Sequence, residues 1–172
     1  LINVLAQMEF RGIKIDASKL EKMNKSLVQE IAAVQQNIYD IVGYEFNVAS
    51  PAQLASALFD KLLLPTAGIK KGKTGYSTNQ KELDKLRGQH PIIELVERFR
   101  ELSKLQNTYV AALPEQTDAN GYIHTTFNQD VTATGRLSST NPNLQNIPIR
   151  TELGRQIRDA FVPAPGNVFV NA

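Results

Sequence analysis

The 172-residue sequence contains no cysteine, only two histidines and a net charge of only +2. Without cysteine there is neither a disulfide framework nor a thiolate zinc site, so the fold must rest on packing, as expected of a cytosolic protein. Two histidines make a histidine metal centre improbable. No uninterrupted apolar run approaches membrane-spanning length, and the opening LINVLAQMEFRG lacks the basic flank and small-residue cleavage pattern of a secretory signal. The expectation is therefore a soluble, cytoplasmic protein with no membrane partner. A charge so close to balance means that any nucleic-acid affinity comes from local clusters of lysine and arginine and not from a basic protein overall. What the chain does have is 42% apolar residues, enough for a core of one or two domains.

Helical periodicity dominates the first two thirds. Leu1, Val4, Leu5 and Met8 form a stripe that Gly12 breaks before a short extended Ile13–Ile15, so residues 1–16 read as a boundary segment leading into an arm. Asp16 or Ser18 can cap a long amphipathic helix, with Ser18 and Glu21 at capping-box spacing. Its apolar face is Leu20, Met23, Leu27, Ile31, Val34, Ile38 and Ile41, and it ends near Gly43. That spacing fits an antiparallel two-helix arm, with a coiled-coil dimer as the alternative. Ser50-Pro51 starts a shorter helix carrying Leu54, Leu58 and Leu62 up to Pro65. Asn79 or Thr78 caps a third with Leu83 and Leu86, closed by Gly88. Pro91 opens the longest apolar face, Ile92, Leu95, Val96, Phe99, Leu102, Tyr109 and Leu113, ending at Pro114, with Glu94 and Arg98 at ion-pair spacing.

Between these helices lies TAGIKKGKTGYST, with Lys70, Lys71 and Lys73 among glycines and hydroxyls. It is too polar to bury itself and is expected to be a mobile basic tip. Its Gly68 to Thr74 stretch is one residue short of a phosphate-loop spacing and follows no apolar strand, which rejects that motif. After Asp118–Gly121 a strand is expected over Tyr122–Gln129, with Ile123, Thr125 and Phe127 on one side and His124, Thr126 and Asn128 on the other. His124, with neither cysteine nor acid pair nearby, reads as structural. A short helix within Thr151–Phe161 carries Arg155 and Arg158, and Val168–Val170 is the apolar run of a buried strand expected over Asn167–Ala172. The fold class is α+β, mainly α: a long antiparallel helical arm followed by the beginning of an antiparallel β region.

Asp130–Arg150, DVTATGRLSSTNPNLQNIPIR, has no hydrophobic period and crowds uncharged hydrogen-bonding side chains, and between Thr132 and Ile149 its only charged residue is Arg136, which follows Gly135. Such a surface suits acceptors that do not depend on sequence, the purine N3 and pyrimidine O2 atoms of the DNA minor groove. Arg136, Asn143, Gln145 and Asn146 are the candidate readers. The alternative is a loop whose Ser, Thr and Asn side chains satisfy their own backbone, and composition on its own favours that.

TATGRLSS followed by NPNLQNIP resembles the family A DNA polymerases of the bacterial DNA polymerase I type. The resemblance extends through MEFRGIKID, KLQNTY, HTTFNQ and RQIRDAFVP. It implies a thumb at residues 17–114 and part of a palm at residues 115–172, in a fragment that stops just before the family's first catalytic aspartate motif. It implies DNA contacts at Lys70, Lys71, Lys73, Ser103, Lys104, Asn107, Thr108, Arg136, Asn143, Gln145 and Asn146, with Arg150 near the incoming nucleotide. Partners are then primer–template DNA and, in the intact enzyme, deoxynucleoside triphosphates and Mg2+. No catalytic or metal-binding residue is assigned, and this chain alone is expected to be inactive. A monomer in the bacterial cytosol or nucleoid, serving replication and repair, is the expectation. The alternatives are a non-enzymatic helical nucleic-acid-binding or interaction module, and a phage, organellar or lesion-bypass member of the family.

Overall fold

A computed structural model describes residues 1–73 and 75–170. The chain is α+β and mainly α, and it divides into two compact units, residues 1–26 with 105–172, and residues 27–104. The long helix α2 (Ala17–Val42) and helix α5 (Ile92–Leu105) run through both. Within residues 27–104 Arg98 Nη2 reaches Glu30 Oε1 at 2.7 Å, and within the other unit Gln106 Nε2 donates to Asn24 Oδ1 at 3.0 Å. Arg98 also pairs with Glu101 at 3.0 Å, so its partners are these two acids and not the expected Glu94, whose carboxylate instead accepts the Gly88 N–H.

In the unit of residues 27–104, Leu27, Val34, Ile38 and Val42 of α2 are buried, as are Ile92, Ile93, Val96, Phe99 and Leu102 of α5. Helix α3 (Pro51–Ala55) starts as expected, with Ser50 as its cap and Pro51 in the first turn, where its missing N–H has no helical partner to lose. It then widens into a π-helical turn, Ser56–Lys61. Strands β2 (Lys71–Gly72) and β3 (Gly75–Tyr76) pair in the register Lys71 opposite Tyr76, where the sequence predicts a mobile tip. The order comes from its few apolar side chains and their partners beyond it: Ile69 is buried, and the Tyr76 ring packs on Phe59 with centroids 5.1 Å apart. Asn79 caps α4 (Gln80–Leu83), its side chain accepting the Glu82 N–H at 3.0 Å, and a 3-10 turn, Asp84–Leu86, comes next.

In the other unit, α1 (Ile2–Arg11) buries only Leu5; Leu1, Val4, Met8 and Phe10 are exposed, so the predicted stripe is not a buried face. Strand β1 (Ile13–Ile15) is the middle of a three-stranded antiparallel sheet, between β4 (Tyr122–Ile123) and β7 (Phe161–Val162). Gly12 makes that approach possible: its φ is 65°, and a Cβ there would lie 2.6 Å from the Ile123 carbonyl oxygen. Asp16 is the cap of α2, accepting the Ser18 N–H at 3.1 Å and the Ser18 hydroxyl at 2.6 Å, so Ser18 supports the cap instead of forming the expected box with Glu21.

Helix α5 does not run unbroken to Pro114. A π-helical turn, Gln106–Val110, separates it from α6 (Ala112–Glu115). The predicted strand over Tyr122–Gln129 is two, β4 and β5 (Thr126–Asn128), in different sheets. The alternation still holds, with Ile123 and Thr125 buried and His124 and Thr126 exposed. The strand divides because Thr125 Oγ1 turns to the carbonyls of Thr140 and Pro142, at 3.0 and 2.7 Å, while His124 Nδ1 turns to the Glu9 carbonyl at 2.7 Å. Strand β6 (Ser138–Thr140) pairs with β5, and α7 (Glu152–Arg158) is capped by Thr151. Val168–Val170 is not a strand, and its three side chains are exposed. Asn171 and Ala172, included in the expected strand, lie outside the described residues.

Candidate nucleic-acid interface

Lys70, Lys71 and Lys73 are all exposed on the β2–β3 hairpin. The Lys71 ammonium lies 5.1 Å from the centroid of the half-buried Tyr76 ring, a cation over an aromatic face. The hairpin is held on both sides. On the entering side the buried Glu82 carboxylate accepts the Lys70 N–H at 3.1 Å and the Lys85 ammonium at 2.5 Å, and Lys85 also donates to the Gly68 carbonyl at 2.7 Å. The Lys85 hydrogen bond, followed by the Lys70 N–H, holds the Glu82 carboxyl below its ordinary value. On the leaving side Arg100 donates to the Thr78 carbonyl at 2.5 Å and to its hydroxyl at 3.2 Å. Burial lowers the pKa of Arg100, opposed by the neighbouring Glu97 charge. Lys70, Ser77, Thr78 and Arg100 line an open cavity of about 440 Å³ beside the hairpin.

Ser103 and Lys104 lie in the last turn of α5, and Asn107 and Thr108 in the π-helical turn beyond it. Lys104, Asn107 and Thr108 are exposed, and Ser103 is half-buried. A π turn adds a residue to the helical repeat and so rotates the succeeding residues about the axis, which places Asn107 and Thr108 outward while Tyr109 and Val110 are buried.

The Asp130–Arg150 motif is built on the β5–β6 hairpin, with Phe127 opposite Ser139 and Asn128 opposite Ser138. Residues 129–137 form its loop, turned by Gly135 at a φ of 74° and closed by the Thr132 hydroxyl donating to the Arg136 carbonyl at 2.5 Å. Arg136 is exposed at this tip. The chain then folds back: buried Ser139 accepts the Leu144 N–H at 3.1 Å, and Asn143 Oδ1 accepts the Gln145 N–H at 3.0 Å. Gln145 Nε2 donates to the Leu137 carbonyl at 2.9 Å, which brings it beside Arg136. Much of the polar composition thus satisfies its own backbone, as the plain loop reading expects. Arg136, Asn146 and Arg150 are exposed and, among the described residues, make no side-chain hydrogen bond. Arg150 precedes the Thr151 cap of α7, where Gly154 packs so closely on the Pro148 carbonyl that no Cβ fits.

Among the described residues no group of three or more His, Asp or Glu side chains is placed to hold a metal ion. The resemblance implies magnesium in the intact enzyme, and the described residues bring together no carboxylate set for it.

Two residues of this surface carry no signal in the sequence on their own, Glu82 and Arg100. Asn79 and Glu82 have capping-box spacing, which would point Glu82 back at its own helix and not at the hairpin.

A mixed α+β chain with a basic hairpin in one unit, and in the other a hairpin presenting one arginine among amides, has the makings of a nucleic-acid-binding patch in each. Residues 17–172 match the model of DNA polymerase family A, and the chain belongs to that family. It is 52% identical over 165 residues to DNA polymerase I of Geobacillus stearothermophilus, covering 95% of this chain and 19% of that protein. It is 49% identical over 173 residues to DNA polymerase I of a Synechocystis species, covering 100% of this chain and 18% of that one. The chain thus spans about a fifth of the length of the curated relatives it matches. A solved structure, the polymerase domain of Pol1 from M. smegmatis in complex with DNA primer-template and dNTP, aligns at a TM-score of 0.86 and 44% identity, over 95% of this chain and 29% of that one.

Proposed function

We propose that this chain is the primer–template binding and positioning portion of a DNA-directed DNA polymerase of replication and repair, with residues 17–114 acting as its thumb and residues 115–172 as part of its palm. The observation that carries this is Arg136, exposed on a glycine-turned hairpin tip with Gln145 tethered beside it. A correctly paired primer terminus presents its minor-groove acceptors in nearly the same places for all four base pairs, so one arginine there tests geometry without reading sequence. Asn143, Gln145 and Asn146 line the nascent pairs, and Arg150 lies near the incoming nucleotide. Lys70, Lys71, Lys73, Ser103, Lys104, Asn107 and Thr108 position the duplex through its backbone. The DNA and nucleotide of the M. smegmatis complex support both partners. The enzyme works as a monomer in the bacterial cytosol, with Mg2+ held by carboxylates that the described residues do not bring together.

The test uses the polymerase completed by its downstream region. Arg136→Ala slows incorporation by roughly fivefold to 150-fold, since a base contact contributes about 1–3 kcal/mol. Lysine restores little, lacking the planar fork. A primer whose terminal purine lacks N3 loses a similar factor with Arg136 present and little with Arg136→Ala. If the two losses multiply independently, Arg136 does not contact that atom.

A further inference from the structure

We propose that Glu82, acting with Lys85, is a positioning residue for DNA binding: a buried carboxylate that fixes the entering strand of the basic hairpin and so sets where Lys70, Lys71 and Lys73 are presented. The inference rests on the reading above that these lysines meet DNA.

A hairpin with two paired residues on each strand is marginal by itself and needs an anchor. Glu82 supplies it through one oxygen, Oε2, which takes both the Lys70 N–H at 3.1 Å and the Lys85 ammonium at 2.5 Å. Lys85 in turn donates to the Gly68 carbonyl at 2.7 Å. Gly68 and Lys70 are therefore tied down on either side of Ile69, whose side chain is buried. Three consecutive residues are held at the point where the chain enters the hairpin. Glu82 stands three residues after the cap Asn79, where a glutamate ordinarily reaches back to the cap's own N–H. Here the Asn79 N–H goes to Ser77 Oγ at 3.3 Å, and Glu82 serves the hairpin instead.

A charge buried among such partners is strongly destabilised when a partner is removed, so the contact resists loosening. Its effect on DNA has two parts of opposite sign. By charge alone, a carboxylate beside three lysines repels phosphate, and removing it should tighten binding. By position, removing it frees the hairpin and spreads the lysines over many conformations, so binding weakens. The sign of the change separates the two.

The experiment measures affinity of the 172-residue chain for a primer–template duplex across a range of salt, with far-UV circular dichroism as the check on folding. Glu82→Ala is compared with Glu45→Ala, which removes one exposed negative charge from the same unit without touching the hairpin's anchor. Lys70, Lys71 and Lys73 replaced together by alanine report whether the hairpin meets DNA at all. Glu82→Ala is expected to flatten the log–log salt slope by about 0.9 for each phosphate contact's worth of positioning lost, about eightfold in affinity per contact at 0.1 M salt. Exchange of the Lys70 amide hydrogen should quicken in the same variant. Glu45→Ala should bind as tightly as the unaltered chain or more tightly. Glu82→Gln keeps an oxygen for the Lys70 N–H but loses the charge that holds Lys85, so it should fall between, and it serves as the test if Glu82→Ala does not fold. A lowered slope in the lysine variant, together with Glu82 variants that bind like Glu45→Ala, overturns the inference alone. An unchanged slope in the lysine variant overturns the DNA reading on which it rests.

Discussion

His124 shows how one side chain can join three segments without chemistry. Its Nδ1 donates to the Glu9 carbonyl at 2.7 Å, its Nε2 lies 3.4 Å from Asp118 Oδ2, and Gly12 packs against its ring. The Glu9 carbonyl first, and then Asp118, raise its pKa above the ordinary value, while hydrogen bonds from Tyr122, Asn120 and His124 lower that of Asp118. A histidine whose folded pKa is raised contributes stability that is fully present below its unfolded pKa of about 6.5, and loses it as pH rises through the folded pKa. Thermal stability should therefore decline as pH is raised from about 6 through that window, and the decline should be smaller in His124→Gln. Melting curves of the two proteins across this range check it. The pair is about a third exposed, 39% for His124 and 35% for Asp118, so solvent screening keeps the effect small. Parallel pH profiles for the two proteins would mean that the bonds carry no linkage.

At the scale of elements, Thr151 places Arg150. Its hydroxyl accepts the Gly154 N–H at 3.1 Å and so fixes where α7 begins. Thr151→Ala should lower stability by about 0.5–2 kcal/mol, and Thr151→Ser should recover most of it. Urea midpoints of the three proteins decide this, and an unchanged midpoint for alanine would show that the cap is dispensable. Helix starts of this kind were legible in the sequence because a cap is a local device: Ser50 with Pro51, and Asn79, stand where their residue types predict. The sheets were not legible. Strands of two or three residues have no period to detect, and Lys14 pairs with both Tyr122 and Val162, partners far along the chain. The β2–β3 hairpin was hidden behind its lysines and glycines because its anchors, Phe59 and Glu82, lie outside it. Val168–Val170 misled in the other direction, since an apolar run is a strand only where something covers it.

Over the whole chain, the lysines belong to the unit of residues 27–104 and Arg136 to the unit of residues 1–26 with 105–172. Arg136 was legible as a candidate from its isolation beside Gly135, and its role in the proposal came from the family resemblance. Glu82 and Arg100 were not legible, because a carboxylate and a guanidinium that hold backbone look in sequence like ordinary surface charges. A chain that grips duplex DNA by its backbone must bind with the salt dependence of counterion release and without regard to sequence. The most direct measurement is the affinity of the chain for two primer–template duplexes of unrelated sequence, followed by fluorescence anisotropy from low to physiological salt. The account predicts straight log–log plots of equal negative slope for the two duplexes, flattened by up to about 2.7 when Lys70, Lys71 and Lys73 are all replaced by alanine. A slope that this replacement leaves unchanged, or one that differs between the two sequences, would contradict it.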